Sequence, residues 1–73
     1  MKMTGDELRA IRNGLDLSAF AFGLALGYTG NRNTIQTQIR KYESGAREVP
    51  ALVARLAIMF RDHGVPQDFI PQT

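Results

Sequence analysis

Between Gly27 and Gly45 the chain reads GYTGNRNTIQTQIRKYESG, a run of amides, hydroxyls and cations between two largely apolar segments. These groups suit the edges of nucleic-acid bases. Gln and Asn bond adenine N6 and N7 in bidentate fashion, Arg does the same to guanine O6 and N7, and Thr meets the thymine methyl. An ordinary solvated helix favours Glu–Lys pairs instead. Between Thr29 and Arg47 four cations, Arg32, Arg40, Lys41 and Arg47, face the single carboxylate of Glu43. Taken alone, the stretch also fits a solvated polar face, so its place in the chain has to decide.

Catalytic chemistry finds few parts. The one histidine, His63, precedes Gly64 in the last turn of an expected helix, where a cation complements the helix dipole. Asp6, Glu7, Asp62 and Asp68 fall near expected helix ends as capping or solvent groups, and Glu43 is expected to pair with a nearby cation or backbone group. GYTGNRN lacks the lysine and the preceding strand of a phosphate-binding glycine loop. With no cysteine there is no disulfide and no thiolate zinc site. The expectation is a protein that is not an enzyme, with no catalytic residues, metal, cofactor or small-molecule ligand.

The 73 residues make one domain, and a domain of this size buries only about 60% of its unfolded surface. A second subunit is therefore expected. The net charge of +2 and pI near 9.5 permit nucleic acid as a partner. The start, MKMTGDELRAIR, is too charged for a signal peptide. The most apolar run, LSAFAFGLALGY, has 12 residues against the roughly 20 that cross a bilayer. A soluble, cytoplasmic protein with no membrane partner is expected.

The elements that must position the polar stretch are helices, and no period-2 alternation competes with them. They are expected at about 4–13, 18–26, 33–44 and 50–63, with an irregular tail over 65–73. Gly14, Gly27, Gly45 and Gly64 follow the four patterns as residues that tolerate positive φ. Thr4 and Glu7 form a capping box, with Leu8, Ile11 and Leu15 on the core face. Ser18 caps the second helix, Leu17 and Phe22 form a hydrophobic staple across it, and Phe22 and Leu26 point inward. Gly23 weakens that helix by about 1 kcal/mol, so it is expected to admit a neighbouring helix closely. Phe20 and Leu24 then form an outer patch, for which the tail residues Phe69 and Ile70 are the available lid.

The third helix is expected from Asn33 as N-cap, with Ile35, Ile39 and Tyr42 on its core face and Asn33, Thr37, Arg40 and Ser44 opposite, flanked by Gln36 and Lys41. Pro50 opens the fourth helix. Its Leu52, Val53, Leu56, Ile58, Met59 and Phe60 cover more than one side, more than a monomer core can use. Leu52, Leu56, Met59, Phe60, Phe69 and Ile70 are therefore the expected dimer interface.

LRAIRNGLDLS (Leu8 to Ser18), YESGAR (Tyr42 to Arg47) and VPALVARLAIM (Val49 to Met59) together resemble the lambda-repressor-like (Cro/C1, XRE-type) helix-turn-helix family, over roughly Thr4 to Phe60. YESGAR is similar to the family's W-E-x-G-x-R close of the recognition helix. The chain departs from the pattern at Ala19, where Gln is usual, and at Gly23, where Ala is usual. Ten residues separate Tyr28 from Ile39, about six more than in the usual helix-turn-helix. The extra residues lengthen the turn or extend the third helix at its N-terminus, and both in part are expected, with TGNR as turn and Asn33 as N-cap.

The resemblance implies an all-α, compact four-helix domain whose third helix enters the major groove of double-stranded DNA. Base contacts would fall to Gln36, Thr37 and Arg40, with Asn33 beside them, and phosphate contacts to Ser18, Arg32, Lys41 and Arg47. The implied protein is a dimeric transcriptional repressor on a pseudo-palindromic operator, such as its own promoter, in the manner of small phage, mobile-element or anti-CRISPR-associated relatives. The alternative is a protein-binding module on the same scaffold, such as an antitoxin that neutralises a partner through the fourth helix and tail.

Overall fold

Short-range hydrogen bonds start three of the four helices. The Thr4 hydroxyl accepts the Glu7 N–H at 3.1 Å while the Glu7 carboxylate accepts the Thr4 N–H at 3.0 Å. The Thr4 backbone N–H, with the Thr4 side chain adding to it, holds the Glu7 carboxyl below its usual range. The Ser18 hydroxyl accepts the Ala21 N–H at 3.1 Å, and the Asn31 side chain accepts the Thr34 N–H at 2.9 Å. Pro50 opens the last helix through its fixed φ, without a side-chain bond. The resulting elements in the computed structural model, which describes residues 2–70, are α1 (Gly5–Gly14), α2 (Ala19–Ala25), α3 (Arg32–Ser44), α4 (Ala51–His63) and a single 3-10 turn (Gln67–Phe69). The domain is all-α, with no strand among the described residues.

The core gathers one face of each helix. Leu8, Phe22 and Ile39 are fully enclosed, with Ile11, Tyr42, Val53, Ala54, Ala57 and Phe60 packed around them, and Ile35 of α3 is equally buried against Gly23 of α2. Gly23 is the point of closest approach between α2 and α3: a Cβ there would run into the Ile35 γ2 methyl and lie 3.3 Å from Ile39 Cγ1. The expected packing role of Gly23 is realised. Gly5 has an equivalent role that the sequence reading did not assign, since its Cβ would collide with the backbone carbonyl oxygens of Tyr42 and Glu43. The start of α1 thus rests directly on the end of α3.

Several expectations are corrected. The N-cap of α3 is Asn31, so Arg32 and Asn33 are already helical. Either asparagine of NRN can cap, and starting at Asn31 extends the helix by two residues and places Arg32 over the Phe20 ring. Gly14 ends α1 without positive φ; the left-handed position is taken by Asp16, at φ 59°. Aspartate tolerates this conformation better than most residues. Gly27, Gly45 and Gly64 do have positive φ.

Phe60 belongs to the core, with 2% of its surface exposed, and is removed from the expected dimer interface. The tail packs on α4, where the Phe69 ring meets Phe60 edge-on at 6.1 Å; it is not the lid on Phe20, which is covered instead by Arg32. Nor is the tail wholly irregular, because Gln67–Phe69 forms the 3-10 turn; its residues 71–73 lie outside the described residues. No helix among the described residues is long and apolar enough to cross a membrane.

Candidate nucleic-acid interface

The hydrophobic repeat of α3 fixes which side chains it presents. With Ile35, Ile39 and Tyr42 buried, Asn33, Thr37, Arg40 and Ser44 emerge on the opposite face, all exposed, with Lys41 exposed beside them. Gln36 is half-buried and donates its amide N–H to Asn33 Oδ1 at 3.3 Å, so two candidate base-reading amides are bonded to one another. Gly45 closes the helix at φ 84°, and the exposed Arg47 follows, its backbone N–H bonded to the Lys41 carbonyl at 3.1 Å. α3 therefore brings Asn33, Gln36, Thr37, Arg40 and Lys41 onto one continuous surface, with Arg47 at its far end. Ser18 lies on a separate element, the N-terminus of α2, with its hydroxyl bonded to the Ala21 N–H.

The distribution of ion pairs separates this surface from the rest of the molecule. Arg12 and Arg9 share Glu43, Lys2 meets Glu48 at 3.2 Å, and Arg61 meets Asp62 at 2.8 Å. Among the described residues Arg32, Arg40, Lys41, Arg47 and Arg55 have no carboxylate within ion-pairing distance. Four of these five are the cations of the polar stretch. Its sole carboxylate, Glu43, is turned away toward α1, where its side chain is 7% exposed against Arg12. The hydrogen bond from Arg12 is matched by a rise in the guanidinium's proton affinity. The outer surface of α3 is thereby left cationic.

Arg32 has a partner of another kind. Its guanidinium carbon lies 4.3 Å from the centroid of the Phe20 ring.

On the other flank of α3, the Tyr28 and Tyr42 hydroxyls lie 2.7 Å apart, and Gln38 donates its amide N–H to the Tyr42 oxygen at 2.8 Å. This chain ties the turn before α3 to the helix. Burial, followed by the hydrogen bond to Tyr42, pushes the Tyr28 phenol above its ordinary range. The sequence reading missed these contacts, as it missed the specific partner of Glu43.

The expected interface residues on α4 divide. Leu52 is 81% exposed and Met59 54% exposed, and with half-buried Leu56 they line an apolar groove of about 590 Å³ shared with Leu26, Tyr28 and Pro50. Phe69, 44% exposed, lines an adjoining cleft with Met59 and Val65, and Ile70 is half-buried. Phe60 forms the floor of that cleft as a core residue.

Comparison of the chain with protein-family models, with curated proteins and with solved structures returned no match.

Proposed function

We propose that this protein is a sequence-specific, double-stranded DNA-binding transcriptional regulator in which α3 is the recognition helix. One observation carries the reading. The exposed face of α3 presents Asn33, Thr37 and Arg40 with Gln36 at its edge, and the four cations of this stretch make no ion pair among the described residues, while its only carboxylate is drawn into a bond with α1. Cations without internal partners suit phosphates, and exposed amides with an arginine suit base edges. The order of α1, a short α2, a turn and α3 supports the resemblance to the lambda-repressor-like family.

In this reading the protein acts as a homodimeric repressor. The groove at Leu52, Leu56 and Met59 joins two copies, and the two α3 helices meet half-sites roughly 34 Å apart on a pseudo-palindromic operator. Exposed Leu52 and Met59 also favour a second reading, a module that holds a foreign protein through the same groove. Selection from a random duplex pool, followed by sedimentation of the pure protein, tests both. A two-fold symmetric consensus with a dimeric protein supports the regulator; no enrichment with a monomeric protein supports the module.

A further inference from the structure

The contact between Phe20 and Arg32 joins the beginnings of the two helices of the candidate helix-turn-helix. Phe20 is the second residue of α2 and Arg32 the first of α3. The Arg32 guanidinium carbon sits over the Phe20 ring, 4.3 Å from its centroid, and a guanidinium carries five N–H donors in a planar fork. Among the described residues those groups have no carboxylate and no hydrogen-bond acceptor. An arginine in water loses rotamer freedom when it binds. Here the ring removes part of that freedom beforehand.

The chemistry of α2 indicates what the fork is for. The sequence AFAFGLA has no charged or hydrogen-bonding side chain, and its cap Ser18, which accepts the Ala21 N–H, offers a phosphate only one neutral O–H donor. In a helix-turn-helix the first helix of the pair crosses the DNA backbone, so an α2 of this composition has no cationic side chain of its own with which to hold a phosphate. Arg32, laid back over α2, brings one positive charge to that place. Its neighbours Asn33 and Thr37 keep to the base-reading face.

We propose that Phe20 is a positioning residue that holds the Arg32 guanidinium as a preformed donor fork for a DNA backbone phosphate beside α2. This inference rests on the DNA-binding reading above. The phosphate contact belongs to Arg32, and Phe20 acts only through it.

The test is a double-mutant cycle of Phe20→Leu and Arg32→Gln, titrated against a pool-selected duplex and its scrambled counterpart at several salt concentrations. Phe20→Leu should weaken binding to both duplexes by the same two- to fivefold, about the size of an exposed cation–π contact, with the salt slope unchanged because the cation remains. Arg32→Gln should lower the slope by about 0.9, the value for one phosphate. In the Arg32→Gln background, Phe20→Leu should cost nothing more, and Phe20→Tyr, which keeps an aromatic face, should bind as wild type. An equal loss from Phe20→Leu in both backgrounds would overturn the proposal, since Phe20 would then act through helix packing. A loss confined to the selected duplex would also overturn it, by making Arg32 a base contact. If the wild-type chain binds neither duplex, the DNA-binding reading itself fails. If it binds and the cycle is flat, only the role of Phe20 falls.

Discussion

Arg12 of α1 holds Glu43 of α3 through two hydrogen bonds, Nε to Oε2 at 2.6 Å and Nη2 to Oε1 at 3.0 Å, and its Nη1 donates to the Leu17 carbonyl at 3.0 Å. One guanidinium therefore fastens α1, the entry to α2 and the last turn of α3. Both side chains are largely sheltered, at 16% and 7% exposure, so removing one charge strands the other. Glu43→Gln should cost about 3 kcal/mol and lower Tm by more than about 10 °C. Arg12→Lys keeps the charge but loses the fork and should recover only part of the stability. Thermal unfolding followed by circular dichroism measures both; an unchanged Tm in Glu43→Gln would show that the pair does not join the helices.

The two close-approach glycines should respond differently to the same methyl group. At Gly23 the added Cβ meets the γ2 methyl of Ile35, a side-chain obstacle, whereas at Gly5 it meets the carbonyl oxygens of Tyr42 and Glu43. Alanine gains about 1 kcal/mol of helix propensity, but overpacking costs about 1–3 kcal/mol. Gly23→Ala should therefore be mildly destabilising and partly rescued by Ile35→Leu, which removes the β-methyl. Gly5→Ala should be the more damaging, because the backbone of α3 has to move. Urea unfolding of the three variants gives the order, and a Gly5→Ala protein as stable as wild type would rule out the close contact.

These contacts mark what could be read from the sequence. Thr4–Glu7 and Ser18 were legible because a cap involves residues three positions apart. The burial of Ile35, Ile39 and Tyr42, and with it the exposure of Asn33, Thr37 and Arg40, followed from helical periodicity. Arg12 and Glu43 are 31 positions apart, and nothing local pairs them. The choice between Asn31 and Asn33 as cap was equally non-local, since both fit the first turn and only one brings Arg32 over Phe20. On α4 six large apolar residues compete for one face. The packing of α4 against α1 decides that Phe60 goes in and Leu52 stays out.

Tyr28 makes stability sensitive to alkali. Burial and the bond to Tyr42 raise its pKa in the folded chain, so the fold favours the neutral phenol. That contribution is fully present below the unfolded tyrosine value of about 10 and is lost as pH rises above it toward the folded value. Denaturant unfolding at about pH 8 and pH 10.5 should show a larger loss for wild type than for Tyr28→Phe. At the lower pH the variant should be weaker by about 1 kcal/mol for the missing hydrogen bond. Equal losses in the two proteins would place the alkaline sensitivity at another group.

Leu52 and Met59 test self-association without touching the core. Both are exposed, so Leu52→Lys with Met59→Gln should change monomer stability by no more than about 0.5 kcal/mol per site. A dimer built on their groove should dissociate, which sedimentation velocity reads directly, and binding to a two-half-site duplex should weaken as the second half-site is lost. A double variant that remains dimeric would remove this groove from the interface. The buried Phe60 is unsuited to this test.

Arg40 and Arg47 separate reading a sequence from holding a backbone. Arg40 stands on the exposed face of α3 beside Thr37, whereas Arg47 lies beyond Gly45, off the helix. If Arg40 meets a base edge, Arg40→Ala should cost about 1–3 kcal/mol on the selected duplex and much less on a scrambled one. If Arg47 meets a phosphate, Arg47→Ala should weaken both duplexes alike and reduce the salt slope by about one. Neither residue has a carboxylate within pairing distance among the described residues, so both alanine variants should fold as wild type by circular dichroism. Titrations at several salt concentrations then give two different signatures. If Arg40→Ala weakens the two duplexes equally, α3 supplies only charge, and sequence discrimination must come from another part of the surface.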